Sequence, residues 1–356
     1  MSRMILAAGR RFGRFAVFLF VLPAALLFSL WLSLLEHLPG WFLATAVIML
    51  PVAMLAIAFL LGILFAGVRR SKVSGMTRAE APGLWSIWEK VAGSRIAART
   101  IIHVDDELNA SIGVERPLFG LLGSRYVLTV GIPLLAVTDE DAITTILAHE
   151  NAHLRNRDVN GSLRLAELEN TFDFVFSYAS PEGTISGRLL YDLLGFLGES
   201  FDLETARLSR EAEIKADRDA ASSGRSERAA RALLLIASAS EFLRETVHEP
   251  LRTELMGAVS PPSPPLKRVL QAAHKLTDQA VINTYALRAW DVPVDEKASH
   301  PSWAQRLSAL GYSEAPQIEP VTTTALSSLL DESTSIRMTE AFDKAWTSRI
   351  ANFLQW

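Results

Sequence analysis

Two long apolar stretches dominate the hydropathy pattern at the start of this chain. Residues 15–35 read FAVFLFVLPAALLFSLWLSLL and residues 41–68 read WFLATAVIMLPVAMLAIAFLLGILFAGV, and neither stretch contains a charged residue. A helix needs about 20 apolar residues to cross the roughly 30 Å hydrocarbon core of a bilayer. Prolines such as Pro23 and Pro51 are tolerated inside such helices. With the short linker EHLPG at residues 36–40, the pattern predicts a transmembrane helical hairpin.

Basic residues flank this hairpin on both sides. Arginines precede the first stretch, and arginines and a lysine follow the second: Arg3, Arg10, Arg11, Arg14, Arg69, Arg70, Lys72 and Arg78. By the positive-inside rule, both ends of the hairpin and everything after it face the cytoplasm. This predicts a multi-pass protein of the inner (cytoplasmic) membrane. A cleaved signal peptide is the alternative, but the first stretch is long for that role, no A-x-A site follows it, and a second stretch comes at once.

From residue 71 onward the pattern is that of a soluble domain. Apolar residues at helical spacing over residues 82–95 predict a helix. Three short runs at residues 99–106, 109–114 and 125–131 predict strands, the last two as a long hairpin. After residue 158 the chain reads as mostly helical and ends in an amphipathic helix around residues 341–353. The expected fold is therefore mainly α with a small β-sheet, an α+β class.

A stiff, proline-rich break divides the helical part of the chain. The sequence PPSPP occupies residues 261–265. We expect three segments: a two-helix transmembrane hairpin at 1–72, a core at 73–260, and a C-terminal segment at 261–356.

The stretch HENAHLRNRD, which starts at His149, carries the clearest chemical signal. Apolar residues upstream of it, after an acidic helix start at residues 138–141, predict that it is helical. Residues i and i+4 lie on one face of a helix, so His149 and His153 can bind one metal ion together. Glu150 lies beside them, where a carboxylate can act as the general base of a metallopeptidase.

Composition narrows the chemistry of this motif. The chain has no cysteine, so a metal site must use histidine and carboxylate ligands. With seven histidines in 356 residues, a chance H-E-x-x-H is expected on the order of once in a hundred such sequences. We therefore expect one Zn²⁺ per chain. The net charge of −4 gives no reason to expect a nucleic-acid partner.

A zinc site with an open position needs a third protein ligand. Two E-x-x-x-D patterns offer one, at Glu169 in ENTFD and at Glu213 in EIKAD. In both patterns the Asp lies one turn beyond the Glu and can hold a zinc-bound histidine. Small alanines surround Glu213 and permit close helix packing, but the residues alone leave both candidates open.

The stretch ASHPSWAQRL places His300 just before a helix that starts with proline, with Arg306 nearby. A histidine or arginine that reaches the site can stabilise the oxyanion of a tetrahedral intermediate. The spacing alone does not bring these two residues to the motif.

At these residues the sequence resembles the HtpX-like membrane zinc endopeptidases, which are related to the CAAX prenyl endopeptidases. The match rests on the two apolar stretches, LAHENAH, EIKAD and HPSWAQRL, and runs from about residue 1 to 310. One departure is that residues 170–201 contain no apolar run near 20 residues, where the family often has a second membrane hairpin.

The resemblance implies a zincin-like (gluzincin) metallopeptidase domain with a defined set of site residues. It makes Glu213 the third metal ligand and Asp217 a support for a ligand histidine. It places His300, Pro301 and Arg306 near the bound peptide. It also implies that the stretch NASIG is an edge strand that holds a peptide substrate by β-augmentation; its residues are Asn109, Ala110, Ser111, Ile112 and Gly113.

The expected function is a membrane-anchored, cytoplasm-facing zinc endopeptidase in which Glu150 activates a zinc-bound water, with a role in membrane-protein quality control. Its partners are a protein or peptide substrate and the lipid bilayer. One alternative is a sensor-transducer with a similar domain, and another is a membrane scaffold that has lost activity. The complete set His149, Glu150, His153 and Glu213 argues against the scaffold. The sequence carries no signal for an oligomeric state.

Overall fold

The N-terminal hairpin consists of three helices and a 3₁₀ turn. A computed structural model describes residues 2–65, 74–115, 123, 125–156, 162–178, 180–223 and 226–354. Helix α1 (Ser2–Phe12) runs through the turn Gly13–Val17 into α2 (Phe18–His37), and α3 (Pro39–Phe65) returns. The spans Met4–His37 and Pro39–Ile63 are long and apolar enough to cross a membrane, with mean hydropathies of 2.5 and 2.7. Arg69, Arg70 and Lys72 of the predicted basic flank lie outside the described residues.

Helicity begins earlier than the apolar stretch predicts, because α1 is amphipathic. Its Ile5 is buried, and its Gly9 lies against Leu165 and Leu168 of α8 (Ser162–Tyr178). A Cβ atom at Gly9 would come within 2.8 Å of a terminal methyl of Leu168, so a larger residue here would require that side chain to shift. Helix α1 therefore packs on α8, and it also forms the first part of the candidate span Met4–His37.

The base of the hairpin and α8 share a small apolar core. Phe59 of α3 stacks with Phe20 of α2, and Phe172 of α8 meets both rings edge-on. Such aromatic pairs stabilise a core beyond the area that they bury. Helix α8 is thereby one of the two helices, with α9, that join the hairpin to the rest of the described structure.

A three-stranded mixed sheet forms the β part of the fold. Strand β3 (Arg125–Gly131) lies in the centre, parallel to β1 (Thr100–Asp105) and antiparallel to β2 (Ala110–Glu115). The predicted pairing of the second and third strands is present, although most of the connection between them lies outside the described residues. Strand β2 lies at an edge of the sheet, and α7 (Glu140–Asn156) packs beside it.

The remaining helices surround this sheet and build the main core. Trp88 of α4 (Pro82–Ala92) is completely buried there. The side chain of Asn151, inside the H-E-x-x-H motif, donates to the carbonyl of Val91 at 3.0 Å and so fixes α7 against the end of α4. The other helices are α5 (Ser94–Ala97), α6 (Ile132–Val137), α9 (Ile185–Ser223), α10 (Ser226–Leu243), α11 (Glu249–Met256), α12 (Pro265–Ala273), α13 (Gln279–Trp290), α14 (Trp303–Ala309), α15 (Ala325–Leu329) and α16 (Glu332–Leu354).

The expected α+β class with two apolar N-terminal helices is confirmed. The last helix, α16, begins nine residues before the predicted start, because Asp331 caps it by accepting from the backbone N–H of Thr334 at 3.1 Å. The main core contains residues from before and after the proline-rich break, such as Leu234 and Leu307. The three-segment division of the chain stays a prediction.

Candidate active site

Helix α7 positions three polar residues of the H-E-x-x-H motif. Asp139 precedes the helix and accepts from the backbone N–H of Ala142 at 2.9 Å, so it caps the first turn. Three turns later, the Nε2 atoms of His149 and His153 lie 3.0 Å apart. Two ring nitrogens approach this closely when their lone pairs point at a shared ion or proton. The helix therefore presents both imidazoles to one point.

Helix α9 brings a carboxylate to the same point. The oxygens of Glu213 lie 3.4 Å from Nε2 of His149 and 3.4 Å from Nε2 of His153. Ala216 and Ala220, one and two turns along, are buried and let α9 approach α7 closely. Glu169, the other candidate ligand, is exposed on α8.

The three side chains fit a zinc ion. One ligand atom from each of His149, His153 and Glu213 lies within 4.8 Å of the others, and they form the one such group among the described residues. A tetrahedral zinc ion with bonds of about 2.0–2.1 Å holds its ligand atoms roughly 3.4 Å apart. The observed separations of 3.0 to 3.4 Å match that requirement. Two histidines and one carboxylate leave a fourth position open for water, as catalytic zinc sites do.

A series of charged contacts begins at Nδ1 of His149, the ring nitrogen that does not face His153. Its Nδ1 lies 2.9 Å from Oδ1 of Asp217, one turn after Glu213. Arg306 of α14 donates to both oxygens of Asp217, from Nε at 2.8 Å and from Nη2 at 2.7 Å. Carboxylates in this position fix the ring orientation and tautomer of a ligand histidine. Asp217 has the geometry for that role, and Arg306 holds Asp217 in turn.

The electrostatics of the cluster follow from burial and these contacts. Burial opposes the charged form of His149, but contacts with Asp217 and Glu213 outweigh it and raise its pKa to about 9. Burial likewise raises the pKa of Glu213, yet His149, His153 and His300 hold it far below the usual range. These contacts favour a proton shared among the groups, and a metal ion that binds here would release it.

Glu150 lies at the junction of α7 and the edge strand. It is buried, and that burial raises the pKa of its carboxyl, although the two neighbouring histidines act in the opposite direction. The backbone N–H of Ile112 in β2 also interacts with this carboxylate. A carboxylate with a raised pKa is a better proton acceptor near neutral pH. The expected general base and the expected substrate strand are thus in contact.

A cavity of about 900 Å³ opens over the cluster. It is lined by the ligands and Glu150, by Asn109 to Ile112 of the edge strand, and by an apolar wall from α10 that includes Leu233 and Ile236. Its size is in the range of ligand-binding clefts. An extended peptide segment can lie in it beside β2.

The C-terminal segment supplies another wall of this cavity. His300 Nδ1 lies 3.4 Å from an oxygen of Glu213, and two-thirds of the His300 side chain is exposed. Pro301 follows it, and Ser302 then starts α14 with a capping box shared with Gln305. This cap sets the direction from which Arg306 enters the site.

Two contacts of the site were not predicted from the sequence. Trp303 lines the cavity, and the guanidinium of Arg306 stacks over its ring at 5.5 Å. The i, i+3 spacing of these two residues in α14 is the signal that could have indicated the contact. Arg210 of α9 donates to the backbone carbonyls of Glu296 and Ala298, just before His300. No local sequence pattern indicates this contact.

Comparisons with known proteins identify a family and a similar solved structure. A family model described as "Peptidase family M48" matches residues 99–314, which is more than half of the chain. Among solved structures, the crystal structure of S. mikatae Ste24p is similar with 16% sequence identity and a TM-score of 0.40. That similarity covers 82% of this chain and 67% of the other. No curated protein matches the chain.

Proposed function

The chain belongs to peptidase family M48 and is a metallopeptidase, and we propose that it is a membrane-anchored zinc endopeptidase in which Glu150 is the general base. The observation that carries the proposal is the convergence of His149, His153 and Glu213 beside that glutamate. The two imidazole nitrogens lie 3.0 Å apart, and the Glu213 carboxylate lies 3.4 Å from each of them, which is the spacing that three ligands of one zinc ion require.

The proposed metal ligands are Nε2 of His149, Nε2 of His153 and the carboxylate of Glu213. Zinc bound there would polarise the scissile carbonyl and lower the pKa of a water molecule towards about 7. Asp217 keeps the His149 ring in the orientation that points Nε2 at the site, and Arg306 keeps Asp217 in place. These contacts make the ligand set rigid.

Glu150 is proposed to accept the proton of the attacking water and to return it to the leaving amine. Its burial keeps competing solvent away, and its raised pKa suits both steps. The carboxylate lies on the ligand-bearing helix, next in sequence to His149, so its distance from the site is fixed by backbone geometry. His300 and Arg306 are proposed to stabilise negative charge on the substrate oxygen, because both lie against the ligand cluster.

The substrate is proposed to bind as an extra strand on β2. Residues 109–113 lie at the sheet edge, and Asn109 to Ile112 line the cavity. Backbone hydrogen bonds of this kind hold an extended peptide with little dependence on its sequence. Low sequence selectivity together with a membrane anchor suits the removal of damaged membrane proteins, and we propose that role.

The catalytic part is proposed to face the cytoplasm from the inner membrane. Two helices that can span a bilayer support a membrane anchor, and the basic residues at the start of the chain support the cytoplasmic side. Arg10 and Arg14 form ion pairs with Glu204 and Glu167 of the peptidase part, so they lie on the same side as the site.

The test compares two variants of the purified full chain in detergent. Glu150→Gln should keep zinc and fold but remove nearly all cleavage of casein, because a neutral amide cannot accept the proton. Glu140→Gln makes the same chemical change at an exposed position of the same helix and should leave cleavage intact. Zinc content measured on both preparations shows whether the metal is retained. Cleavage by Glu150→Gln at nearly the wild-type rate would refute the proposal.

A further inference from the structure

A segment without regular secondary structure covers one side of the cavity. It connects α13 to α14 over residues 291–302, and we refer to it as the strap. Its residues Val292, Pro293, Ala298 and His300 line the cavity, although most of the strap is otherwise exposed. A loop that carries a functional side chain needs contacts that fix it, because loops are more mobile than the elements that they connect.

Arg210 of α9 provides such a contact. Its Nη1 donates to the backbone carbonyl of Glu296 at 2.5 Å and to that of Ala298 at 2.8 Å. The two acceptors are neutral carbonyls in the middle of the strap, two and four residues before His300. A charged donor makes stronger hydrogen bonds than a neutral one, so this double contact is a substantial restraint.

The position of Arg210 on α9 connects the strap to the metal ligand. It precedes Glu213 by three residues, so both side chains project from nearly the same face of one helix. The strap then returns to that face at His300, whose Nδ1 lies 3.4 Å from Glu213. Arg210 and Glu213 therefore hold two points of the strap from one rigid element.

The neighbouring Arg207 of α9 has partners of a different kind. Arg207, one turn earlier, pairs with Glu204 and Glu211 of its own helix. Surface pairs of that kind contribute little to stability or positioning. Arg210, in contrast, contacts residues 86 and 88 positions away along the chain. This long-range contact distinguishes it from a charge that only solvates the helix surface.

We propose that Arg210 is a positioning residue that clamps the strap, so that His300 stays against the ligand cluster while a peptide is bound and cleaved. The inference rests on the proposed peptidase function for its kinetic part only. The clamp itself is a structural statement about Arg210 and the strap, and it can be measured without any substrate.

The first arm of the test measures strap mobility in the full chain. The chain contains no cysteine, so Val294→Cys gives one attachment point for a spin label on an exposed strap residue. Adding Arg210→Met should sharpen the lines of the electron paramagnetic resonance spectrum into those of a mobile label. Arg207→Met is the matched control and should leave the spectrum unchanged. An equally immobile label in the Arg210→Met variant would overturn the clamp.

The second arm measures whether Arg210 acts through His300. Arg210→Met should lower kcat/KM for a peptide substrate on the order of a hundredfold, since displacing a site group by about 1 Å has that effect. Arg210→Lys, which keeps one charged donor, should recover part of the loss. The double variant Arg210→Met/His300→Ala should be no worse than His300→Ala alone, because the two changes remove one shared contribution.

The outcomes of the two arms are distinguishable. Multiplicative losses in the double variant, or lost zinc in Arg210→Met, would show that Arg210 does not act through His300 and would overturn the positioning role. If the wild-type chain cleaves nothing, the proposed function fails while the label spectra still decide the clamp.

Discussion

Replacing Arg306 with methionine tests the most deeply buried ion pair of the site. Arg306 and Asp217 are only 9% and 3% exposed, and the guanidinium makes two hydrogen bonds of 2.8 and 2.7 Å to the carboxylate. Methionine fills a similar volume without a charge, so Asp217 would keep only the His149 ring as a charged partner. Removing one partner of a buried pair costs about 3–5 kcal/mol, because the other charge stays buried and uncompensated.

The expected loss is large enough to measure by thermal unfolding. For a domain of 150–250 residues, each kcal/mol lowers the melting temperature by about 2–4 °C, so Arg306→Met should melt roughly 6–20 °C below the wild-type chain. The double change Arg306→Met/Asp217→Leu removes both charges and should recover most of that loss. Tryptophan fluorescence of the detergent-solubilised protein provides the readout. A melting temperature for Arg306→Met within about 2 °C of wild type would contradict the reasoning.

Casein cleavage by the same variants distinguishes a role of Arg306 and Asp217 in stability from a role in catalysis. The double variant should fold but cleave casein at least about 10–100-fold more slowly, because His149 loses the carboxylate that orients its ring and the substrate oxygen loses the proposed contact with Arg306. Full recovery of cleavage along with stability would mean that neither Arg306 nor Asp217 contributes to the reaction. That result would withdraw both residues from the proposed mechanism.

Further predictions address the metal and the membrane topology. Glu213→Ala should deplete zinc and abolish cleavage, whereas Glu169→Ala should keep zinc; metal analysis that finds the reverse would move the third ligand to α8. Asp217→Asn should lower zinc affinity or activity by about 10–100-fold, measured by zinc titration, and an unchanged affinity and rate would contradict it. A strong chelator should abolish casein cleavage and added zinc should restore it, so cleavage that persists in chelator would argue against a metalloenzyme. Reporter fusions should place Trp356 in the cytoplasm and an insertion at Pro39 on the opposite side, and reversed signals would overturn the orientation.

The features that were predicted best from the sequence are those that depend on local periodicity. The two apolar spans and the three strands follow from runs of residues whose spacing is set by one element alone. The pairing of His149 with His153 likewise depends only on the pitch of one helix. Element ends were predicted less well. Helix α1 begins before the uncharged stretch, with Ile5 buried and Gly9 against Leu165 and Leu168 of α8, and a hydropathy window does not register such contacts.

Contacts between distant segments could not be predicted from local pattern. The residues alone left both Glu169 and Glu213 as candidates, since both occur in the same E-x-x-x-D spacing, and the alanines around Glu213 favoured it only slightly. What separates them is tertiary packing, because Ala216 and Ala220 let α9 approach α7 while Glu169 remains at the surface of α8. The pair of Arg306 with Asp217 joins residues 89 positions apart, and Arg210 reaches the strap over a similar separation. Loop-closure entropy grows only slowly with such distances, so sequence separation does not argue against these contacts.

The geometry of α9 also relates the site to the membrane. Helix α9 contacts α1, α3 and α8, and its Glu204 pairs with Arg10 of α1 at 3.1 Å. Glu213 follows nine residues later on the same helix, which at 1.5 Å per residue places it about 14 Å further along the axis. Because Arg10 lies five residues before the uncharged stretch that begins at residue 15, a metal held by Glu213 would lie within a few turns of helix from the membrane surface. Under the proposed function, a peptide segment of a membrane protein would then need to extend only a short distance from the bilayer to reach β2.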